Sequence, residues 1–137
     1  MAHALYGYDG PCRNIHGHSY ELSLTVSGKP LRDPGHPKAG MVMDFSVLRS
    51  IAEERVLKHF DHALVVNGLS PHREIKNNGG LFEKLISVDY QPTCENLLLD
   101  FVERIRPNLP EGVSLHHMTL KETASSYAEW FAEDNNA

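Results

Sequence analysis

The chain is poor in cysteine, has a single tryptophan and carries few cations. Its 137 residues include only two cysteines, Cys12 and Cys94, and neither lies in a Cys-x-x-Cys pair. That number is too small for a disulfide framework, so a scaffold stapled by disulfides is excluded and a reducing, cytoplasmic setting is expected. No apolar run approaches the ~18 residues that a transmembrane helix needs, and the first residues lack the charged and apolar regions of a secretory signal. A membrane is not an expected partner. The 13 Lys and Arg residues against 18 Asp and Glu leave a net charge of −5. They are scattered and do not form the stripe along which a phosphate backbone could lie, so nucleic acid is not an expected partner either. At this length residues 1–137 read as one domain, able to bury roughly two-thirds of its unfolded surface.

What is present is an alternation of strand and helix signals. Residues 19–28 place apolar or aromatic side chains at every second position and stop at Gly28-Lys29-Pro30, which predicts a strand. Pro34, Gly35, Pro37 and Gly40 make the next stretch a loop. Between Phe45 and about Phe60, Val47, Leu48, Ile51, Ala52, Val56 and Leu57 recur at helical spacing, with Asp44 or Ser46 as N-cap. Residues 85–90 read as a short strand closed by Pro92. Thr93 then caps a second helix to about Ile105, with Leu97, Leu98, Phe101 and Val102 on one face. Pro107 and Pro110 forbid its continuation. Residues 113–122 and 126–131 predict two further strands. The pattern is α+β: an antiparallel sheet with two helices on one face.

The chemistry concentrates at His16-Gly17-His18, which begins four residues after Cys12. Side chains at i and i+2 of a strand share a face, so both imidazoles can converge on one divalent ion, zinc first among the candidates. The alternating segment that follows places the pair at the start of the 19–28 strand. His3 lies one Gly- and Pro-containing loop away, and a hairpin would return it as a third ligand. Three nitrogens leave zinc an open position, which is the catalytic pattern. Cys12 either completes a closed four-ligand cage or stands beside an open site as a base, and spacing leaves both readings open. Asp61-His62 ends the first helix, where a carboxylate can orient an imidazole, although a dipole-paired helix end is the commoner use. Glu122 could read a guanidine-like ring edge with both oxygens, although a strand-end glutamate is ordinarily solvated. Thr93 and Glu95 fit a helix cap. His36, His59, His72, His116 and His117 lack ligand spacing and read as surface or packing residues.

Six motifs then fall in one order: His3, Cys12-x3-His16-Gly17-His18, Gly40-Met41-Val42-x-Asp44-Phe45, Asp61-His62, Pro92-Thr93-x-Glu95-Asn96 and Lys121-Glu122-Thr123. In this the chain resembles the 6-pyruvoyl-tetrahydropterin synthase family over nearly its whole length. The Cys-x3-His-Gly-His spacing is similar to that of the 6-carboxytetrahydropterin synthase branch. The biopterin-making branch typically has a longer spacer, and a folate-linked branch has glutamate in place of the cysteine.

The resemblance implies the tunnelling fold, in which the sheets of several subunits join into a barrel and trimers stack into a homohexamer with sites at subunit interfaces. It implies 7,8-dihydroneopterin triphosphate as substrate, with 6-carboxy-5,6,7,8-tetrahydropterin, acetaldehyde and triphosphate as products, early in queuosine (7-deazaguanine) biosynthesis. It also implies that His3, His16 and His18 bind zinc, that Cys12 is the general base, and that Asp61 and His62 complete its proton relay. Glu122 would anchor the pterin ring, and Thr93 and Glu95 would line its pocket. Arg13, Lys38 and Arg49 are cations available to the triphosphate.

One departure stands out. Family members carry a strand ending in a Phe-x-Ala-Ala-His-like segment before the first zinc histidine, whereas this sequence begins Met1-Ala2-His3. A first strand cut to two residues and a loose hold on His3 are therefore expected. Two other readings fit the same residues. One is a biopterin-forming synthase, which leaves the substrate's side-chain carbons in place; the other is a non-catalytic, zinc-stabilised module that binds a pterin or purine.

Overall fold

A computed structural model describes residues 1–136. The strands are β1 (Ala2–His3), β2 (His16–Gly17), β3 (Glu21–Gly28), β4 (Leu64–Asn67), β5 (Leu85–Val88), β6 (Val113–Lys121) and β7 (Tyr127–Phe131). The helices are α1 (Phe45–Ala52), α2 (Lys58–Phe60) and α3 (Cys94–Ile105).

The antiparallel sheet expected from the sequence is β3-β6-β7. Along β3 the half-buried Leu22, Leu24 and Val26 alternate with exposed Glu21, Ser23 and Thr25, as a period of two requires. Thr25 pairs with His117 but Val26 with Leu115, so His116 is the extra residue of a bulge. The bulge keeps Leu115, Met118 and Leu120 all buried on the helix side.

Two helical segments cover that face. Asp44 is the N-cap of α1: its carboxylate accepts from the Ser46 backbone N–H at 2.8 Å. The segment does not run as one α-helix to Phe60, because a π turn over Glu53–Leu57 joins α1 to α2. The buried stripe is Leu48, Ala52, Val56 and Phe60, a strict i, i+4 repeat. Such a repeat drifts around a helix of 3.6 residues per turn, and the wider turn takes up the drift. Thr93 caps α3 by accepting from the Asn96 N–H at 3.2 Å. Leu97, Leu98, Phe101, Val102 and Ile105 bury its inner face. Phe60 meets Phe101 edge-on at 4.8 Å between ring centroids, with Trp130 of β7 in the same core. Burying each of these large side chains contributes about 1.5–3 kcal/mol.

A second sheet, of order β2-β1-β4-β5, was not legible as such. β1 runs antiparallel to β2, while β4 is parallel to both β1 and β5. Two expectations change here. His16 lies on β2 and His18 in the link that follows it, so the pair is not the start of β3. β1 is two residues long, yet it is an interior strand paired on both sides, and His3 is only 1% exposed. The loose hold expected of His3 is not found.

Candidate metal centre

His3 and His16 are cross-strand partners in β1–β2, and His18 follows two residues on. One ligand nitrogen from each of the three rings lies within 4.8 Å of the other two. The backbone fixes two of the tautomers. His3 Nδ1 donates to the Pro92 carbonyl at 2.6 Å and His16 Nδ1 to the Asn14 carbonyl at 2.7 Å, which leaves each Nε2 with its lone pair free. Among the described residues, Nε2 of His16 and Nε2 of His18 are buried without any hydrogen-bond partner. Orphaned buried nitrogens are costly, and two of them turned toward a third imidazole are the arrangement a cation would satisfy. Burial, chiefly, holds the His3 pKa below its ordinary value; the bond to Pro92 works against it, and the neighbouring His16 adds to it. His3 is thus a neutral, ligand-competent imidazole at neutral pH.

Glu122 closes one side. Its Oε1 lies 3.6 Å from His3 Nε2 and 3.8 Å from His18 Nε2, and the Tyr20 hydroxyl donates to it at 2.9 Å. The same hydroxyl is 3.2 Å from His3 Nε2. Burial first, then the Glu122 charge, pushes the Tyr20 hydroxyl well above the usual phenol range, so it stays protonated. A cleft of about 370 Å³ opens beside Glu122, bordered by His18, Ser19 and Thr123.

The other candidates are less gathered. Cys12 sits half-buried on a 3-10 turn, Pro11–Arg13, whose shape is held by the Leu5 N–H donating to the Cys12 carbonyl at 3.0 Å. It is not part of the group that brings ligand atoms together. Asp61 and His62 pair at 3.0 Å, with side chains 66% and 91% exposed. His62 has φ 58°, unusual for a non-glycine residue and suited to the turn after a helix end. It borders a cavity of about 460 Å³ with His18, Tyr20 and Phe60, a cavity that Cys12 does not border. Thr93 is engaged as the α3 cap, and Glu95 is exposed on the first turn. Neither borders the Glu122 cleft.

Sequence reasoning missed Tyr20 and the two carbonyls that orient the histidines. His16, His18 and Tyr20 continue one i, i+2 series, the signal by which Tyr20 could have been found. The carbonyl of Pro92 carries no side-chain signature at all.

The chain is similar to known proteins in both sequence and fold. A protein from Haemophilus influenzae named 6-carboxy-5,6,7,8-tetrahydropterin synthase is 35% identical over 134 residues, covering 95% of this chain and 91% of its own. A Synechocystis protein of the same name is 34% identical over 119 residues, covering 79% and 91%. Among solved structures, an uncharacterised protein from Wolinella succinogenes superposes with a TM-score of 0.77 at 19% identity, covering 96% of this chain and 92% of its own. The 6-pyruvoyl tetrahydropterin synthase of Plasmodium vivax gives 0.64 at 22%, covering 94% and 87%. These two establish the fold alone. The family model for 6-pyruvoyl tetrahydropterin synthase matches residues 1–133, and the chain belongs to that family.

Proposed function

We propose that this chain is a zinc-dependent carbon–carbon lyase, a 6-carboxy-5,6,7,8-tetrahydropterin synthase. It would convert 7,8-dihydroneopterin triphosphate and one water into 6-carboxytetrahydropterin, acetaldehyde and triphosphate, early in queuosine biosynthesis in the cytoplasm. The observation that carries the reading is the convergence of His3, His16 and His18, with two unpartnered Nε2 atoms, in a chain 35% identical to a relative of that name. Three imidazole nitrogens suit zinc, and with the cysteine outside the group they would leave the open position of a catalytic site. Bound there, zinc supplies Lewis acidity toward the hydroxyls of the substrate side chain.

The chain's own residues do the rest. Glu122 accepts from the N–H edge of the pterin ring; Thr93 and Glu95, which do not border the cleft beside Glu122 in this chain, would line the pterin pocket of a neighbouring subunit. Cys12 takes a proton from the side-chain carbon next to a hydroxyl. His62, oriented by Asp61 through their 3.0 Å pair, exchanges protons as the double bonds move and triphosphate departs. Asp61-His62 is exposed and shares no hydrogen bond with Cys12 among the described residues. That supports a relay completed by a neighbouring subunit of a homohexameric barrel.

Incubation of the zinc-loaded protein with 7,8-dihydroneopterin triphosphate, followed by product analysis, tests the reading. Acetaldehyde and the 6-carboxy product are expected. A 6-pyruvoyl product without acetaldehyde would instead assign the biopterin-forming reaction, and binding without turnover a non-catalytic module.

A further inference from the structure

Tyr20 stands between the histidine cluster and Glu122. Its hydroxyl oxygen is 2.9 Å from Glu122 Oε1 and 3.2 Å from His3 Nε2, but a hydroxyl has one proton and can donate to only one of them. The carboxylate is both the nearer acceptor and the charged one. His3 Nδ1 is already committed to Pro92, so the remaining lone pair of His3 is at Nε2. Once that lone pair is engaged by a cation, Glu122 is the remaining acceptor for the hydroxyl. The ring itself has little freedom: it stands edge-on to His3 at 6.0 Å and to His18 at 5.5 Å. Glu122 Oε2 has no hydrogen bond among the described residues, so the phenol holds one carboxylate oxygen and leaves the other for a ligand.

We propose that Tyr20 is a positioning residue for pterin recognition: by donating to Oε1 it fixes the Glu122 carboxylate beside the histidine cluster, with Oε2 available to the ring edge. This rests on the reading of Glu122 as the pterin anchor. Tyr20 touches neither the reacting carbons nor, by this account, the metal, and it acts only through Glu122.

The test is a double-substitution cycle on the zinc-loaded protein, with 7,8-dihydroneopterin as the probe and equilibrium fluorescence titration as the readout. Tyr20→Phe removes one oxygen and keeps the ring. It should weaken pterin binding roughly tenfold, the lower end of what a hydrogen bond to a charged group contributes, with zinc content and melting temperature unchanged. In a Glu122→Ala background the same substitution should have no further effect. Wild-type affinity in Tyr20→Phe, or losses that multiply in the double variant, overturns the inference while leaving the pterin reading intact. A wild-type protein that binds no pterin overturns both.

Discussion

His3 and His16 face each other directly across the β1–β2 ladder, with ring centroids 4.5 Å apart. The juxtaposition of the two rings is thus set by strand register and does not depend on the reach of flexible side chains. A one-residue slip would turn one of the two rings to the other face of the sheet. Backbone carbonyls at Asn14 and Pro92 complete the arrangement by fixing both tautomers.

Zinc binding should depend on the histidines and not on the thiol. His16→Ala and His18→Ala should each lose most of the bound zinc, measured by metal analysis after gel filtration, whereas Cys12→Ala should retain it. Equal loss in all three variants would mean that Cys12 is a fourth ligand and the site is closed.

Glu122→Gln should weaken pterin binding by about 1–3 kcal/mol, the worth of one charge-assisted acceptor. Its melting temperature should change little, because Gln can still accept from Tyr20 through its amide oxygen and the residue lies outside the core. A calorimetric titration with unaltered affinity would place the anchor elsewhere.

Cys12→Ala should abolish turnover while the folded, zinc-loaded protein still binds substrate. Asp61→Asn should slow turnover less, since it disturbs the orientation of His62 and leaves the ring in place. Mixed oligomers of Cys12→Ala and His62→Ala chains, with subunit exchange verified by mass spectrometry, should release acetaldehyde above either parent. If they do not, the relay is not shared between subunits and Asp61-His62 is simply a helix end.

Cys94 gives a pH dependence. Burial, and then the charges of Glu122 and Glu95, push its thiol up to about 11 from an ordinary 9.0, and its Sγ donates to the Leu120 carbonyl at 3.3 Å. Between those two values the unfolded chain releases a proton that the folded chain retains. The stability this provides is therefore complete below pH 9.0 and is lost as pH rises toward 11. Iodoacetamide should alkylate Cys94 at pH 9 in the denatured protein but slowly in the native one. Equal native and denatured rates would show that the thiol is not shielded.

Much of this was legible in the sequence where one signal repeats over many residues. The cap at Thr93 and the apolar face from Leu97 to Ile105 define α3, and the alternation around Leu22, Leu24 and Val26 defines β3. β4 escaped because Leu64-Val65-Val66-Asn67 is a short apolar run with neither period, which only pairing on both sides makes a strand. The π turn escaped because an i, i+4 stripe reads as an ordinary helix over four turns. His3, His16, His18 and Glu122 could be singled out by residue type. Tyr20 could not, because an aromatic residue on an alternating strand reads first as packing.

The bond from His3 to the Pro92 carbonyl spans 89 positions of sequence, and this bears on how the molecule folds. β1 needs β4 at its side, and the His3 ring needs the segment just before α3, so two long loops must close before the three nitrogens are held together. A metal has no preformed seat on the early chain, unlike a zinc finger whose ligands are close in sequence. Zinc should accordingly leave the initial refolding rate nearly unchanged and act on the reverse step, slowing unfolding of the finished protein.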